Sequence, residues 1–108
     1  MDNKKIYVVD LDNTLCITPK NNGYYQYKKA VPMKKRIKEI NKLYFSGNRI
    51  IIDTARGCTS GFDWHPFTAS QLKEWGVKYH ILRSGVKFAG DFYIDDKGIN
   101  SEDFFKCQ

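Results

Sequence analysis

Short apolar runs that end on acidic or hydroxyl residues most constrain how this chain can fold. The first run, Ile6 to Val9, is followed by Asp10 and Asp12, and a later run, Ile50 to Ile52, leads to Thr54. A short apolar run rich in β-branched residues predicts a buried β-strand. Because an unpaired charge is costly to bury, the acids are expected at strand ends, where open α/β sheets bind ligands.

The two acids after the first strand have two interpretations. If the chain stays extended, Asp10 and Asp12 lie on one face, because side chains in a strand alternate. Two acids there can hold a metal ion, or divide nucleophilic and acid–base work between them. The alternative is a simple turn that uses the side chains of Asp12 and Asn13. This segment alone favours neither interpretation.

Strands and helices alternate along the rest of the chain. The predicted elements are a helix from Pro32 to Ser46, a strand from Arg49 to Asp53, a helix from Pro66 to Trp75, strands at Val77–Leu82 and Phe92–Ile94, and a short helix or docked tail from Ser101 to Phe105. This alternation predicts an α/β fold with a small parallel sheet and helices on its faces, a Rossmann-like fold of three layers. The length suits a single domain over residues 1–108.

The segment from Leu15 to Lys29 is predicted to be a loop or small flap beside the end of the first strand. It has no clear periodicity and contains four turn-forming residues between positions 19 and 23. Tyr24, Tyr25 and Tyr27 either contact a substrate or pack the flap onto the body of the protein. Packing is the favoured interpretation.

The net charge of +6 favours an anionic partner, such as a phosphorylated metabolite, nucleic acid or acidic lipid. Lysines on the first helix either form a nucleic-acid surface or are simply solvated, and we favour solvation. No apolar stretch is long enough to span a membrane. No secretory leader is recognisable, so a cytoplasmic location is expected.

The cysteines and histidines carry weaker signals. Cys16, Cys58 and Cys107 have neither metal-ligand nor disulfide spacing, so free thiols are predicted. His65 and His80 are predicted to be structural or surface residues, with His65 a minor candidate for a substrate contact.

Parallel strands would bring Asp10, Asp12 and one of the later acids, Asp95 or Asp96, to one edge of the sheet. Several carboxylates in one crevice repel each other unless a cation or a proton intervenes. Oxygen ligands of this kind, combined with a phosphate, favour Mg²⁺.

The same edge is predicted to hold groups that bind anions. Thr54 follows the second strand, Arg56 lies two residues later, and Lys87 lies on the loop after the third strand. A guanidinium offers a planar fork to phosphate oxygens. The alternatives are a turn or helix-cap hydroxyl for Thr54 and a surface ion pair for Arg56. A metal, an anion site and a nucleophile together indicate phosphoryl transfer.

Four motifs, in order, resemble those of the haloacid dehalogenase (HAD) superfamily. Asp10-Leu-Asp12-Asn-Thr14 resembles its DxDxT signature, and Thr54 resembles its second motif. Lys87 resembles the third motif, within Gly85-Val-Lys87-Phe where Gly-Lys-Pro is expected, and Asp95-Asp96 resembles the fourth. Runs such as Thr54-Ala-Arg-Gly and Gln71-Leu-Lys-Glu-Trp-Gly resemble a small capless branch labelled as phosphatases of capsule or surface polysaccharide biosynthesis.

The resemblance implies specific roles. Asp10 would be the nucleophile and form an aspartyl-phosphate, and Asp12 would move protons as general acid and base. Mg²⁺ would be held by the side chains of Asp10 and Asp95 and the backbone carbonyl of Asp12. Asp96 would orient water or Lys87, and which of Asp95 and Asp96 is the main metal ligand stays open. The residues predicted to contact the substrate are Asn13, Thr54, Arg56 and Lys87.

The function expected from this resemblance is Mg²⁺-dependent hydrolysis of a phosphomonoester, on a phosphorylated sugar or sugar-nucleotide precursor of a surface polysaccharide. One alternative is a nucleotide or polynucleotide 3′-phosphatase, suggested by the basic helix and the open site. Another is a non-catalytic phosphate-binding module on the same fold. A capless site either accepts a large substrate or closes when the protein forms a homo-oligomer.

Overall fold

The computed structural model describes residues 4–106. The strands are β1 (Ile6–Val9), β2 (Cys16–Ile17), β3 (Lys20–Asn21), β4 (Tyr24–Tyr25), β5 (Val31–Pro32), β6 (Arg49–Thr54) and β7 (Ile81–Ser84). The helices are α1 (Lys34–Phe45), α2 (His65–Glu74) and α3 (Ser101–Lys106), and a single 3₁₀ turn covers Tyr27–Lys29. None of these helices is long and apolar enough to cross a membrane.

A parallel sheet of three strands, in the order β1-β6-β7, forms the centre of the fold. The central strand β6 contains the isoleucine run, and its neighbours pair in register, with Val9 beside Ile52 and Ile52 beside Leu82. All three strands point the same way, so their carboxyl ends lie at one edge. The predicted parallel α/β arrangement is confirmed.

The hydrophobic core lies on one face of this sheet. Ile50 and Ile52 of β6 are fully buried against Ile37 and Ile40 of α1 and against Leu72 of α2. The two connections, β1–α1–β6 and β6–α2–β7, run in the same direction across the sheet. Because connections between parallel strands are almost always right-handed, both helices lie on the same face. Near the chain end, Phe104 of α3 packs its ring against Tyr7 on this face, with the ring centroids 6.3 Å apart.

The opposite face of the sheet is open, which differs from the predicted three-layer fold. Ile6 and Val8 of β1 are 65% and 63% exposed, and Ile81 of β7 is also exposed. Within residues 4–106 no helix covers these side chains. The described part of the chain therefore forms two layers.

The fourth strand predicted at Phe92–Ile94 is also wrong. Phe92 and Ile94 are 86% and 96% exposed, and no helix or strand lies between Ser84 and Ser101. Only residues 85–91 separate β7 from this run, fewer than the dozen or so that a parallel crossover usually needs. Local bonds hold the segment instead, because the Tyr93 hydroxyl donates to the carbonyl of Phe88 at 2.6 Å.

Smaller differences occur at element ends. The helix predicted to begin at Pro32 begins at Lys34, because Pro32 pairs with Cys16 in a short antiparallel ladder. The strand predicted from Val77 begins at Ile81, because Val77 is buried at the end of α2, where its N–H donates to the carbonyl of Leu72.

The predicted flap, residues 15–29, contains a tight hairpin. Strands β3 and β4 pair in it, with Lys20 opposite Tyr25. The turn residues Asn22 and Gly23 have φ angles of 52° and 81°, and positive φ at both central positions is what a two-residue hairpin turn of this type requires. Cys16 is buried and Cys58 half-buried, and both are free thiols, as predicted, whereas Cys107 lies outside the described residues.

Candidate active site

A tight turn follows β1 and presents the polar residues of the first motif. The N–H groups of Thr14 and Leu15 both donate to the carbonyl of Leu11, at 3.0 and 2.8 Å. Leu11 and Leu15 are fully buried, so the apolar positions of the motif anchor the turn in the core. The polar positions between them are left at the carboxyl edge of the sheet. The segment therefore forms a turn at the end of the strand, and the chemical roles of the two acids stay predictions.

Asp10 is held by two donors and is still accessible. The Thr14 hydroxyl donates to Oδ2 at 2.9 Å, and the Lys87 ammonium donates to Oδ1 at 3.0 Å. The Asp10 side chain is 41% exposed and that of Lys87 is 22% exposed. The structure therefore brings together two predicted site residues that are far apart in sequence, with the carboxylate oriented and open to solvent.

Asp12 forms the most enclosed ion pair of the site. Arg56 donates through Nε to Oδ2 at 3.0 Å and through Nη2 to Oδ1 at 2.8 Å. The Thr18 hydroxyl donates to the same Oδ1 at 2.6 Å. On its other side, Arg56 donates through Nη1 to Gln71 at 2.8 Å and to Thr68 at 3.2 Å. Arg56 thus links the β1 turn, the end of β6 and the face of α2.

This arrangement differs from the predicted substrate contact of Arg56. Its side chain is fully buried, and the Tyr27 ring covers the guanidinium at 4.5 Å from the ring centroid. The bidentate pair fixes the plane and position of the Asp12 carboxylate. Arg56 is therefore placed as a positioning residue for Asp12 rather than as a group that faces a ligand.

Thr54 and Asn13 also have local roles in the structure. Thr54 is buried, and its Oγ1 accepts a hydrogen bond from the Arg56 N–H at 3.2 Å, which is the turn interpretation of this residue. Its hydroxyl proton remains available to donate. Asn13 has a φ of 62°, and its Oδ1 accepts from the N–H of Thr18 at 3.1 Å. Asn13 thereby ties the start of the flap to the turn.

The two later acids have different surroundings. Asp95 lines a cavity of about 750 Å³ together with Asp10, Lys87 and Thr14, and Asp96 does not line it. Asp96 is exposed and pairs with Lys97 at 3.2 Å. Hydrogen bonds from the backbone N–H groups of Lys97 and Gly98 lower the pKa of Asp95 below its ordinary value, because they stabilise the charged form. Asp95 is therefore the acid that shares a cavity with the proposed nucleophile.

The donors of the predicted magnesium site are of the right chemical type. Asp10 and Asp95 offer carboxylate oxygens to one cavity, and Mg²⁺ is commonly held by one or two carboxylates with waters and a phosphate. Within residues 4–106 no cluster of three or more His, Cys, Asp or Glu side chains is close enough to hold a metal. The predicted set needs only two side chains, because its third ligand is the backbone carbonyl of Asp12.

The fold is shared with a solved protein. A crystal structure of a structural-genomics target from Vibrio cholerae superposes with a TM-score of 0.77 and 26% sequence identity, over 94% of this chain and 87% of that chain. No protein-family model and no curated protein matches this chain significantly. The likeness supports the fold, and a shared fold does not determine an activity.

The residues that surround Arg56 belong to no motif that is recognisable in the sequence. Thr18, Thr68 and Gln71 come from the flap and from α2, and they meet only in the folded chain. Buried polar residues on an otherwise apolar helix face were the available signal, because a buried polar group needs a partner. His65, the minor candidate for a substrate contact, has its Nδ1 2.9 Å from the Ser84 hydroxyl at the end of β7.

The other histidine is structural, as predicted. His80 Nδ1 accepts a hydrogen bond from the N–H of Ile50 at 3.0 Å, and its ring stacks on Tyr44 with the centroids 4.6 Å apart. These contacts fix the start of β7 against β6 and α1, away from the acids.

Proposed function

We propose that this protein is a phosphomonoester hydrolase of the HAD type, with Asp10 as the nucleophile. The observation that carries the proposal is the Asp10 carboxylate, which lies accessible at the end of a parallel strand and accepts hydrogen bonds from Thr14 and Lys87. The four motifs that resemble this superfamily supply the reaction type. The similarity to a solved α/β structure is consistent with the fold that this reaction type uses.

The reaction has two steps. One Asp10 oxygen forms a bond to phosphorus while the bond from phosphorus to the leaving oxygen breaks, and the leaving oxygen takes up a proton. Water then attacks the phosphorus of the aspartyl-phosphate, which releases inorganic phosphate and restores the carboxylate. Asp12 is the proposed proton carrier, and Arg56 and Thr18 keep its carboxylate in one orientation.

The positive charge of Lys87 has a direct purpose in this reaction. A carboxylate and a phosphate dianion repel each other, and an ammonium group 3.0 Å from Asp10 offsets that repulsion. When bound, Mg²⁺ would supply further positive charge and so offset the same repulsion. Asp10, Asp95 and the Asp12 carbonyl are the residues proposed to hold it. Thr54 is proposed to donate its hydroxyl to a phosphate oxygen.

Two substrate classes are proposed. The sequence resemblance favours a phosphorylated sugar or sugar-nucleotide precursor of a surface polysaccharide. The alternative, a polynucleotide end, is favoured by the lysines and exposed tyrosines of the flap. A non-catalytic module is less favoured, because an accessible carboxylate beside a lysine has no evident purpose in mere phosphate binding.

The test is hydrolysis of a small generic phosphomonoester by the wild type and by the Asp10→Asn variant. The variant keeps the shape of the side chain and removes the nucleophilic carboxylate, so we expect loss of turnover with an unchanged fold. Asp91→Asn is the matched control, because Asp91 is exposed and makes no ion pair in the described part of the chain. Equal turnover by wild type and Asp10→Asn would contradict the proposal.

A further inference from the structure

The positive charge of this chain is concentrated in one stretch. Between Asp12 and Glu39 there are seven lysine and arginine residues and no acidic residue. The rest of the chain contains eleven basic and twelve acidic residues and is close to neutral. The net charge of +6 therefore belongs to the flap and to the first two turns of α1.

Six of these seven cations are available to bind a ligand. The six lysines of the stretch are exposed, and none forms an ion pair in the described part of the chain. The remaining cation, Arg36, is occupied by Glu102 at 3.1 Å. We call these lysines the basic surface, which consists of Lys20, Lys28, Lys29, Lys34, Lys35 and Lys38.

Aromatic rings lie among the lysines of the flap. Tyr24 is 78% exposed, and the exposed Tyr25 stacks on Tyr27 with centroids 6.0 Å apart and planes at 14°. The ammonium of Lys20 lies 4.8 Å from the centroid of the Tyr25 ring. Phe62, which is also exposed, contacts Trp64 beside the buried side of Tyr27. Packing thus explains Tyr27 but leaves Tyr24 and Tyr25 available.

The flap is fixed relative to the site. The Tyr27 ring rests on the Arg56 guanidinium that holds Asp12. At the start of α1, Arg36 donates to the carbonyl of Thr14 at 3.1 Å, and Thr14 donates to Asp10. The flap and α1, which carry the basic surface, are therefore each linked to one acid of the first motif through one intervening residue.

We propose that the flap and the first turns of α1 bind single-stranded nucleic acid. Proteins that bind single strands combine a row of cations, which contact phosphates, with aromatic rings on which bases stack. The exposed lysines and the two exposed tyrosines supply both kinds of contact. The substrate would then be the terminal phosphate of a single strand that lies along the flap, and this assignment rests on the proposed function.

Binding is tested separately from turnover. The probe is a fluorescein-labelled oligothymidylate of about twelve nucleotides that ends in a 3′-hydroxyl, and its anisotropy is followed between about 50 and 200 mM salt. We expect salt-dependent binding. Lys28→Ala/Lys29→Ala should reduce the slope of log affinity against log salt by about 1.4, because each phosphate contact on a single strand contributes about 0.7.

The aromatic contribution has a different signature. Tyr24→Ala/Tyr25→Ala should weaken binding about tenfold or more, since stacking is worth about 1–3 kcal/mol per base, and should leave the salt slope unchanged. The matched control is Lys73→Ala/Lys78→Ala, which removes two exposed lysines that also make no ion pair in the described residues. The control should bind like the wild type.

Several results would overturn the inference. They are no binding at the lowest salt, equal weakening in all three double variants, or binding to vesicles of anionic lipid without binding to the oligonucleotide. Failure of the proposed function gives a different result. A protein that binds the oligonucleotide but hydrolyses no phosphomonoester would support the nucleic-acid surface and contradict the phosphatase activity. Conversely, hydrolysis of small phosphomonoesters without hydrolysis of a 3′-phosphorylated oligonucleotide would support the proposed function and contradict the proposed substrate.

Discussion

The Arg56 guanidinium donates hydrogen bonds to both oxygens of the Asp12 carboxylate, with Nε 3.0 Å from Oδ2 and Nη2 2.8 Å from Oδ1. The two residues are 44 positions apart in sequence and join the turn after β1 to the end of β6. Because the pair also contacts the flap through Tyr27 and α2 through Gln71, it connects the proposed proton carrier to three parts of the fold.

Removal of Arg56 should destabilise the protein strongly. Arg56→Ala removes the ion pair of Asp12 and the donor to the Gln71 side-chain oxygen, and breaking a buried ion pair typically costs about 3–5 kcal/mol. Urea denaturation of the variant and the wild type measures the difference. Arg49→Ala is the control, because Arg49 is exposed and makes no ion pair among the described residues, so a change below about 0.5 kcal/mol is expected. Similar midpoints for both variants would contradict the structural role of Arg56.

Lys87 should matter for turnover more than for stability. Lys87→Met removes the ammonium that contacts Asp10, and loss of one such stabilising group typically lowers kcat about 10²–10³-fold. Lys73→Met is the control, since Lys73 is exposed, makes no ion pair among the described residues and does not line the cavity that contains Asp10. Steady-state kinetics with a small phosphomonoester distinguish the two variants. A wild-type kcat for Lys87→Met would remove Lys87 from the proposed mechanism.

Activity should depend on a divalent cation. Chelation with EDTA is expected to abolish turnover, and added Mg²⁺ should restore it. Asp95 shares a cavity with Asp10, so Asp95→Asn should raise the Mg²⁺ concentration for half-maximal activity about tenfold. The Asp96 side chain lies outside that cavity, so Asp96→Asn should have the smaller effect. The opposite order would make Asp96 the main ligand, and full activity in EDTA would contradict the metal requirement.

Cys16 should resist alkylation in the folded protein. Burial raises the pKa of this thiol above its ordinary value, so less thiolate is present at a given pH, and the thiolate is the reactive form. The half-buried Cys58 should react before Cys16, which mass spectrometry of peptides after iodoacetamide treatment can show. Because unfolded chains release the Cys16 proton at lower pH than folded ones, stability should also fall as pH rises above about 8.5. Faster alkylation of Cys16 than of Cys58 would contradict its burial.

The strand ends and the motif residues could be predicted from the sequence because they depend on local patterns. The apolar runs Ile6–Val9 and Ile50–Ile52 form β1 and much of β6, and parallel pairing then brings Asp10 and Lys87 together. The run Phe92–Ile94 is also apolar and aromatic but stays outside the sheet, because the length of the preceding connection, rather than the run itself, decides whether a parallel strand can pair.

The surroundings of Arg56 could not be predicted in the same way. An arginine after a strand end is compatible with a phosphate ligand, a surface ion pair or a buried anchor, and only the position of α2 and the flap distinguishes them. The acid-free stretch before Glu39 was visible in the sequence. Its meaning depended on the exposure of Tyr24 and Tyr25, which packing determines.

The central claim is that Asp10 carries the phosphoryl group during turnover. A reaction with excess phosphomonoester can be quenched in acid and reduced with borohydride, which converts an acyl phosphate of aspartate to homoserine. We predict homoserine at position 10 in the wild type and aspartate there when substrate is omitted. Continued turnover with unmodified Asp10 in every quenched sample would contradict the account.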